Sequence, residues 1–406
     1  MNTFTRIKDI DHKDSHQSFT QQRPIRILHV VGGMVRGGIE TWLMHILRHI
    51  DRDRFQMDFL VHTTEPCAYD EEIRSLGSQI ISCPLQRKYP WVYAANIKRI
   101  LREFGPYDIV HSHLHHFSGY VLYLAKQAGV PVRIAHSHND TSAQEKGLYR
   151  RWYRSFMKSL IAHNATLGCG CSYQATADLF GTQWQDDSRW QVFYFGIDLK
   201  PFENTVDRVA IRAEFGIPAD AFVIGHVGRF HPQKNHRFLI EIAAEIAKRE
   251  PQMRLLLLGE GYLQLEIYQK VVQMGLGDRV IFAGTRSDIP RLMMGAMDVF
   301  LLPSLHEGLP IVSIEAQAAG LPLILSDVIT DELQKIKPLV QKISLSQPAR
   351  VWADAVLAVR NSQSRITQTD SLAILKNSDF NISSSVQALV KTYVDECHKN
   401  CQAKYI

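Results

Sequence analysis

The chain has 406 residues, of which 45% are hydrophobic and 21% charged, a composition typical of a globular protein with two or three domains. This composition excludes collagen-like, disordered and disulfide-scaffold proteins, and no apolar run reaches the roughly 18 residues of a membrane-spanning helix. Residues 1–200 hold 24 Lys and Arg against 19 Asp and Glu, while the remaining residues hold 22 of each sign. The net charge of +5 therefore belongs to the first half, which favours an acidic partner or surface there.

The first 22 residues are polar and of mixed charge, and they lack the apolar stretch of a secretory signal. We expect residues 1–22 to form a disordered leader. The six cysteines do not form two CxxC pairs, so the pattern does not indicate a structural zinc site. Without a signal peptide, a reducing cytoplasmic compartment is the expected location.

The first half alternates between strand and helix patterns. A β-branched apolar run over residues 25–31 stops at Gly32 and Gly33, and Gly37 and Gly38 precede a helical stretch over residues 39–49. An apolar run that ends at glycines is typical of a buried parallel strand. Further strands are predicted over residues 57–62, 79–83, 108–111 and 132–135, with helices notably over 91–104 and 117–128. This alternation predicts a doubly wound α/β domain.

The second half repeats the pattern. A strand over residues 222–227 ends at Gly228, and a helix over 235–249 follows. Four more strands are predicted over residues 254–258, 280–282, 299–302 and 323–325. The stretch 196–205 contains Pro201 and is the predicted linker.

The sequence therefore predicts two Rossmann-like domains that face each other across a cleft. Residues 23–198 would form the N-terminal domain and residues 199–385 the C-terminal domain. Residues 386–406 would form a helix that packs back on the N-terminal domain. Ligands of such sheets bind beyond the carboxyl ends of the strands, so we expect both Gly-rich turns to face the cleft.

One candidate site lies in residues 305–315. A loop after a predicted strand contains Glu307, Pro310 is suited to the first turn of a helix, and Glu315 lies about one turn inside it. The free N–H groups at a helix start bind anions. The two carboxylates could bracket a ligand whose phosphates rest on the helix start, although solvated acids are the simpler reading of an arbitrary Glu pair.

A second candidate site is the strand end that carries Arg229 and, shortly after it, Lys234. Arginine offers a planar fork for phosphate oxygens, and lysine offers a compact charge. Without further context, a strand-end Arg and Lys are more often solvated charges.

Taken in chain order, these motifs resemble the family 4 glycosyltransferases of GT-B fold. The resemblance extends from residue 23 to about residue 393 and is strongest to bacterial transferases of capsule, exopolysaccharide and O-antigen assembly. The matching pieces are Gly37-Gly38-Ile39-Glu40, His136-Ser137-His138, Gly228-Arg229 with Lys234, Glu307 with Glu315, and Ser326-Asp327.

The resemblance implies roles for individual residues. Arg229 and Lys234 would neutralise the donor diphosphate, while Glu307 would hydrogen-bond the donor sugar. His136 would face the reacting sugar, with His113 and His138 on the acceptor side. The implied donor-binding residues are Gly38, Gly228, Arg286, Gly308, Leu309, Ile311 and Glu315.

The resemblance also implies that residues 23–198 are the acceptor domain, that residues 199–385 are the nucleotide-sugar donor domain, and which reaction they carry out. A hexose-type sugar would pass from a nucleotide-sugar donor to a glycan or lipid-diphosphate-linked acceptor in surface polysaccharide biosynthesis. The anomeric configuration would be retained, and neither a metal nor another cofactor would be required.

Two segments of the sequence resemble metal-binding patterns. Asp51-Arg52-Asp53 is the one Asp-x-Asp match after the leader, and a polar turn is its better interpretation. The group His111, His113, His115 and His116 lacks a matched acid or thiol, so a polar wall of the acceptor cleft is favoured over zinc. An NAD enzyme is not expected, because Gly259-Glu260-Gly261 lacks the third glycine of a dinucleotide fingerprint.

Two stretches mix basic and aromatic residues. Residues 148–162 contain Arg150, Arg151, Arg154 and Lys158 among aromatic side chains, and residues 87–102 run from Arg87 to Arg102 through Trp91. They are either amphipathic helices that pack their aromatics inward or a surface that docks on anionic lipid at the inner face of the cell membrane. Nucleic acid is not expected as a partner, because no recognition motif accompanies so mild a charge.

Two other functions remain open at this point. A nucleotide-sugar 2-epimerase of the same fold would release a free epimerised product without any acceptor. A catalytically silent sugar-nucleotide-binding partner of a polysaccharide assembly complex could lose Arg229, Lys234, Glu307 and Glu315, and their presence argues against it.

Overall fold

A computed structural model describes residues 23–86, 88–139, 147–361 and 366–402 of the chain. The expected leader over residues 1–22 lies outside these ranges. The described residues form two parallel sheets, each covered by helices on both faces. The prediction of two Rossmann-like domains is confirmed.

The N-terminal domain is built on a seven-stranded parallel sheet. Its strands are short and mostly apolar, as expected for strands buried on both faces. They are β1 (Ile25–Val31), β2 (Phe55–Val61), β3 (Ile80–Ser82), β4 (Ile109–Ser112), β5 (Val132–Ser137), β6 (Leu167–Gly170) and β7 (Trp190–Val192). The order across the sheet is β3-β2-β1-β4-β5-β6-β7. Strands β2 and β3 are added on one side of β1, and β4 to β7 are added on its other side, so the strand order reverses between β1 and β4.

Helices connect these strands and bury one apolar side each. They are α1 (Gly38–His49), α2 (Asp70–Ser75), α3 (Pro90–Glu103), α4 (Ser118–Gln127), α5 (Leu148–Asn164) and α6 (Tyr173–Phe180). The alternation along β1 assigns its side chains to two cores. Ile27 and Val31 pack in the core that contains α1, while Leu28 and Val30 pack in the core that contains α3 and α4.

The C-terminal domain has a six-stranded parallel sheet of order β10-β9-β8-β11-β12-β13. Its strands are β8 (Phe222–Val227), β9 (Met253–Leu258), β10 (Val280–Phe282), β11 (Val299–Leu302), β12 (Leu323–Ser326) and β13 (Val340–Ile343). Its helices are α7 (Arg208–Ala213), α8 (His236–Ala247), α9 (Gln264–Gln273), α10 (Ile289–Gly295), α11 (Ile311–Ala318), α12 (Ala349–Asn361) and α13 (Gln368–Lys376). The winding of this sheet reverses between β8 and β11. A crevice is therefore expected beyond the carboxyl ends of these two strands.

The chain crosses between the domains twice, and the two crossings touch. The backbone N–H of Ile197 donates to the carbonyl of Phe380 at 2.8 Å, and the N–H of Ile382 donates to the carbonyl of Ile197 at 3.0 Å. The second crossing leads into α14 (Ile382–Gln402), which packs on α1 and β5 of the N-terminal domain. One side of α14 is buried there, with Ile382, Ser385, Leu389, Tyr393 and Glu396.

Among the helices of the described ranges, none combines the length and the apolar character that crossing a membrane requires.

Candidate active site

The loops after β8 and β11 form one connected unit at the crevice of the C-terminal domain. Asn235 takes a left-handed backbone conformation with φ 54° and donates from Nδ2 to the carbonyl of Pro303 at 3.1 Å. The N–H of Leu305 donates to the carbonyl of Gln233 at 2.8 Å. These two bonds fix the position of Lys234, which lies between Gln233 and Asn235, relative to the β11 loop.

Lys234 and Glu307 form an ion pair between these two loops. The Lys234 ammonium donates to Oε1 of Glu307 at 2.6 Å, and the amide of Gln233 donates to Oε2 at 3.2 Å. Glu307 is buried, and the side chain of Lys234 is only 17% exposed. Both carboxylate oxygens of Glu307 are thus engaged within the protein.

Arg229 follows β8 after Gly228, and its side chain is exposed. Glu40, in the first turn of α1, is the acid that its charge reaches across the cleft. Burial raises the pKa of the Glu40 carboxyl to about 7, and the Arg229 charge acts in the opposite direction. Arg229 therefore supplies positive potential to the space between the domains.

Two helix N-termini meet at this point. Pro310 immediately precedes α11, whose first residue is Ile311, and Gly38 is the first residue of α1. A Cβ placed on Gly38 would lie 3.9 Å from Cδ1 of Ile311, so the two helix starts face each other across the cleft. Each start presents free N–H groups and the positive end of a helix dipole. Together with Arg229, they are suited to bind an anion.

Gly308 brings the two domains into contact beside these helix starts. A Cβ at Gly308 would overlap the carbonyl oxygen of His138 and would lie 3.0 Å from Cα of Asn139. A larger residue at position 308 would force the domains apart at this point. The glycine of this motif is therefore required for close approach.

Glu315 lies one turn inside α11 and is partly buried. Burial raises the pKa of its carboxyl from 4.5 to about 7. A hydroxyl-rich group bound at the start of α11 would offer hydrogen bonds to this carboxyl. This placement fits the ribose-binding role that the resemblance implies.

Arg286 lies farther along the C-terminal domain, after β10. Its guanidinium makes a two-pronged ion pair with Asp288, at 2.8 and 2.9 Å, and this pair raises the pKa of Arg286. Nearby, the N–H of Thr285 approaches the carboxylate of Glu260 at 3.4 Å. The structure thus places Arg286 in an ion pair with Asp288.

The histidines of the N-terminal domain lie inside the protein. His111, His113, His136 and His138 are all buried, and His113 bonds to His138 at 2.8 Å. The expectation of a polar wall on the acceptor cleft is therefore wrong for His111 and His113. The rings of His111 and His113 stack on each other. The nitrogens of His111 bond to Tyr393 and His136, and those of His113 bond to His29 and His138, so all four are satisfied without solvent.

His136, expected to face the reacting sugar, is also enclosed at the carboxyl end of β5. Its ring stacks on His138 with centroids 4.3 Å apart and meets the edge of Trp42. Its Nε2 atom has no hydrogen-bond partner in the described part of the chain. His136 is two residues before His138, whose carbonyl lies against Gly308.

Asp51 and Asp53 occupy a turn between α1 and β2. The N–H of Asp53 donates to Oδ1 of Asp51 at 3.1 Å, and the Asp51 carbonyl accepts from Phe55. The turn lies at the amino end of β2, on the opposite edge of the sheet from the cleft. The structure thus agrees with the interpretation of this segment as a turn.

Three polar residues of the site were given no role by the sequence. Gln233 and Asn235 lie within the motif of Lys234, and Glu40 lies within the motif of Gly38. Their contribution comes from contacts with distant loops, which spacing alone does not reveal. The one indication in the sequence was that polar residues, Gln233 and Asn235, stand on both sides of Lys234.

Comparisons with known proteins identify the family. The model of Glycosyltransferase Family 4 matches residues 36–200, and that of Glycosyl transferases group 1 matches residues 221–359. The chain is 41% identical over 333 residues to the glycosyltransferase EpsF of Bacillus subtilis strain 168, which covers 82% of this chain and 86% of that protein. The chain belongs to glycosyltransferase family 4.

The glycosyltransferase also resembles more distant relatives. It is 26% identical over 315 residues to the UDP-Gal:alpha-D-GlcNAc-diphosphoundecaprenol alpha-1,3-galactosyltransferase of Escherichia coli, covering 75% of this chain and 80% of that enzyme. HepE of Anabaena in complex with UDP-glucose superposes with a TM-score of 0.76 at 21% identity, over 91% of this chain and 99% of the other. The lipopolysaccharide glycosyltransferase WaaG gives 0.70 at 18% identity, over 89% and 98%.

These similarities confirm two predictions. The solved structures establish that the glycosyltransferase has the GT-B fold. Family membership establishes that it is an enzyme that takes its sugar from a nucleotide-sugar donor.

Proposed function

We propose that the enzyme transfers a hexose, with retention of configuration and without a metal ion, to a lipid-diphosphate-linked acceptor in surface polysaccharide biosynthesis. The observation that carries this proposal is the meeting of two helix N-termini with Arg229 between the domains. A donor diphosphate develops negative charge as it leaves the sugar. Fixed dipoles and a guanidinium stabilise that charge without having to reorganise.

The pairing of Glu307 supports a retaining mechanism without a covalent intermediate. A double displacement needs a free carboxylate as nucleophile. Both oxygens of Glu307 are bonded, to Lys234 and to Gln233. Each of these oxygens has a second lone pair, so Glu307 can still accept hydrogen bonds from sugar hydroxyls, while the acceptor attacks from the same face as the leaving diphosphate.

The same groups support metal-independent catalysis. In metal-dependent transferases, a divalent cation neutralises the leaving diphosphate. Here the positive charges of Arg229 and Lys234 and the dipole at the start of α11 would take the place of that cation.

The lipid-linked acceptor is supported by the exposed starts of α3 and α5. Trp91 and Trp152 are each 64% exposed, and Trp152 stacks on the exposed Phe156 with centroids 5.6 Å apart. The expectation that these helices pack their aromatics inward is therefore wrong for Trp152 and Phe156. In a parallel sheet, helix starts lie at the carboxyl ends of the strands, so these aromatics border the cleft.

The basic residues of α5 divide into two groups. Arg150 and Arg151 are exposed beside Trp152, whereas Arg154 turns inward and pairs with Asp178 at 2.8 Å. Arg87 lies outside the described residues. The proposed membrane-docking surface thus consists of Trp91, Trp152, Phe156 and the two exposed arginines of α5, and it faces anionic lipid.

Vesicle flotation tests the docking surface. The wild type should float with vesicles that contain anionic lipid and stay behind with zwitterionic vesicles. Trp152→Ser combined with Phe156→Ser should abolish flotation, while Leu265→Ser with Tyr268→Ser, two exposed apolar residues of α9, should not. Equal flotation of both double variants would contradict the proposed surface.

Nucleotide release tests the reaction itself. UDP-, GDP-, ADP- and dTDP-sugars would each be supplied with and without EDTA, to the wild type and to Glu307→Gln. We expect one donor to release its nucleotide, release to survive EDTA, and the Glu307→Gln variant to be inactive. Loss of activity in EDTA would overturn metal independence, and release of a free epimerised sugar would identify an epimerase.

A further inference from the structure

A hydrogen-bonded chain runs from α14 to His136 through the buried interior of the N-terminal domain. The hydroxyl of Tyr393 lies 2.9 Å from Nδ1 of His111, and Nε2 of His111 lies 3.1 Å from Nδ1 of His136. All three side chains are fully buried. The chain ends at Nε2 of His136, which has no partner among the described residues.

The protons of this chain can be placed by elimination. A buried hydroxyl requires an acceptor, and within the described part of the molecule the Tyr393 hydroxyl has one neighbour, Nδ1 of His111. A neutral imidazole carries a proton on one nitrogen only. His111 accepts at Nδ1, so its proton is on Nε2, from which it donates to Nδ1 of His136. His136 must then carry its own proton on Nε2.

The two imidazoles are neutral, as this placement requires. Burial lowers the pKa of His111 and of His136 well below the ordinary value, and neighbouring histidines act in the same direction. Tyr393 stays protonated, because burial raises the pKa of its hydroxyl.

We propose that Tyr393 and His111 are positioning residues that hold His136 in the tautomer with its proton on Nε2. This inference rests on the proposed function and assigns His136 a task within it. A neutral Nε2–H can donate a hydrogen bond but cannot take up a proton. Because this atom is buried, it acts on a substrate oxygen only when the residues that cover it move aside. As the bond between the sugar and the diphosphate breaks and the bond to the acceptor oxygen forms, the proton of the acceptor hydroxyl passes to a diphosphate oxygen instead of His136.

A second histidine chain provides an internal comparison. Nδ1 of His29 lies 3.0 Å from Nε2 of His113, and Nδ1 of His113 lies 2.8 Å from Nε2 of His138. Both ends of this chain, Nε2 of His29 and Nδ1 of His138, lack a partner among the described residues. Without a hydroxyl at either end, both directions of donation satisfy this chain equally, so its tautomers are not fixed.

Nitrogen NMR of the full chain labelled with ¹⁵N-histidine reads the tautomers directly, without substrate. The His136 signals are assigned by their loss in His136→Asn. We expect the wild type to show a protonated Nε2 and a bare Nδ1 at His136. Tyr393→Phe keeps the buried ring, removes the hydroxyl and should give a mixture of tautomers, with kcat reduced about tenfold and the donor KM unchanged.

Tyr93→Phe is the matched control. It removes the hydroxyl of another buried tyrosine, which bonds to Nε2 of His62 at 2.8 Å, outside both chains. Its His136 signals and kcat should equal those of the wild type. A bare Nε2 in the wild type, or an unchanged His136 tautomer in Tyr393→Phe, would overturn the inference. The expected tautomers in an enzyme that releases no nucleotide would support the inference while the proposed function failed.

Discussion

Lys234 and Glu307 belong to loops that follow different strands, yet they form one buried unit. Separately, each would be a costly charge in a partly dry environment. As a pair, each satisfies the other, and Gln233 supplies the remaining hydrogen bond. Their contributions to stability and to activity can therefore be separated by experiment.

Replacement of Lys234 by methionine should reduce both activity and stability. We expect the rate of nucleotide release to fall by about 10²–10³, because a charge at the leaving group is lost. The free energy of unfolding should fall by about 3 kcal/mol, because the buried Glu307 is left unpaired. The double variant Lys234→Met with Glu307→Gln should regain most of the stability but none of the activity. Urea unfolding measures the stability, and donor turnover measures the activity. If Lys234→Met were as stable as the wild type, the claim that Lys234 stabilises the buried Glu307 would be wrong.

Glu315 makes stability depend on pH in a predictable direction. Its folded pKa of about 7 exceeds its unfolded value of 4.5, so the folded state binds more protons between these two pH values. The contribution of Glu315 to the free energy of unfolding should therefore be complete below pH 4.5 and be lost as pH rises through 7. Glu315→Gln removes the decline. Between pH 4.5 and 8, the free energy of unfolding of the wild type should fall relative to the variant by an amount on the order of 2 kcal/mol.

The comparison with Glu315→Gln also serves as the control, since Glu40 and all other groups titrate in both proteins. Urea unfolding at several pH values gives the two curves. Parallel curves for the two proteins would show that Glu315 keeps an ordinary pKa.

Sequence patterns predicted some of the individual residues of the candidate active site. Arg229, Lys234, Glu307 and Glu315 stand out because a charged residue follows an apolar run or begins a helix. The burial of His136 was not predictable, because the partners of its ring lie on β4 and α14, far away in the chain. No local pattern distinguishes a histidine that faces a cleft from one that lies beneath it.

Among the secondary structure elements, strands made of an uninterrupted apolar run were predicted well, whereas strands that contain glycine or polar residues were missed. The strands β1, β8, β10 and β11 agree with the predicted bounds. The strands β6, β7 and β13 were missed. In β6, Gly168 and Gly170 weaken the strand pattern, and their role is tertiary, because Cβ atoms there would overlap Phe180 and Thr176 of α6.

The contact at Gly308 gives a prediction about closure of the cleft. In Gly308→Ala the added Cβ meets the His138 carbonyl, so the β11 loop and β5 must separate. We expect kcat/KM to fall about a hundredfold, because small displacements of the reacting groups are costly. The radius of gyration in small-angle X-ray scattering should increase. Gly277→Ala is the matched control, since a Cβ there meets no atom within 4 Å, and equal behaviour of the two variants would contradict the prediction.

For the whole molecule, the decisive feature is the return of α14 to the N-terminal domain. Its buried side covers α1, and Nε1 of Trp42 donates to the hydroxyl of Ser385 at 3.3 Å. Trp42 is fully buried and stacks on Phe195, with centroids 4.5 Å apart. Removal of α14 would expose this apolar surface to water.

A fragment of residues 23–198 should therefore not fold cooperatively on its own. Addition of a peptide of residues 382–402 should restore a single cooperative unfolding transition, measured by circular dichroism. A peptide with Leu389→Asp and Tyr393→Asp would serve as control and should restore nothing, because it places charges in the buried side. Cooperative unfolding of the fragment alone would contradict this prediction.

The paired crossings at Ile197 and Phe380 also constrain how such enzymes can be recombined. A chimera with a single junction would take its N-terminal domain from one parent and the helix that completes that domain from the other. Tyr393 of one parent would then have to fit the histidines of the second. Exchange of donor specificity between relatives should succeed when the chain is cut at both crossings, so that residues 199–380 are transplanted as a cassette.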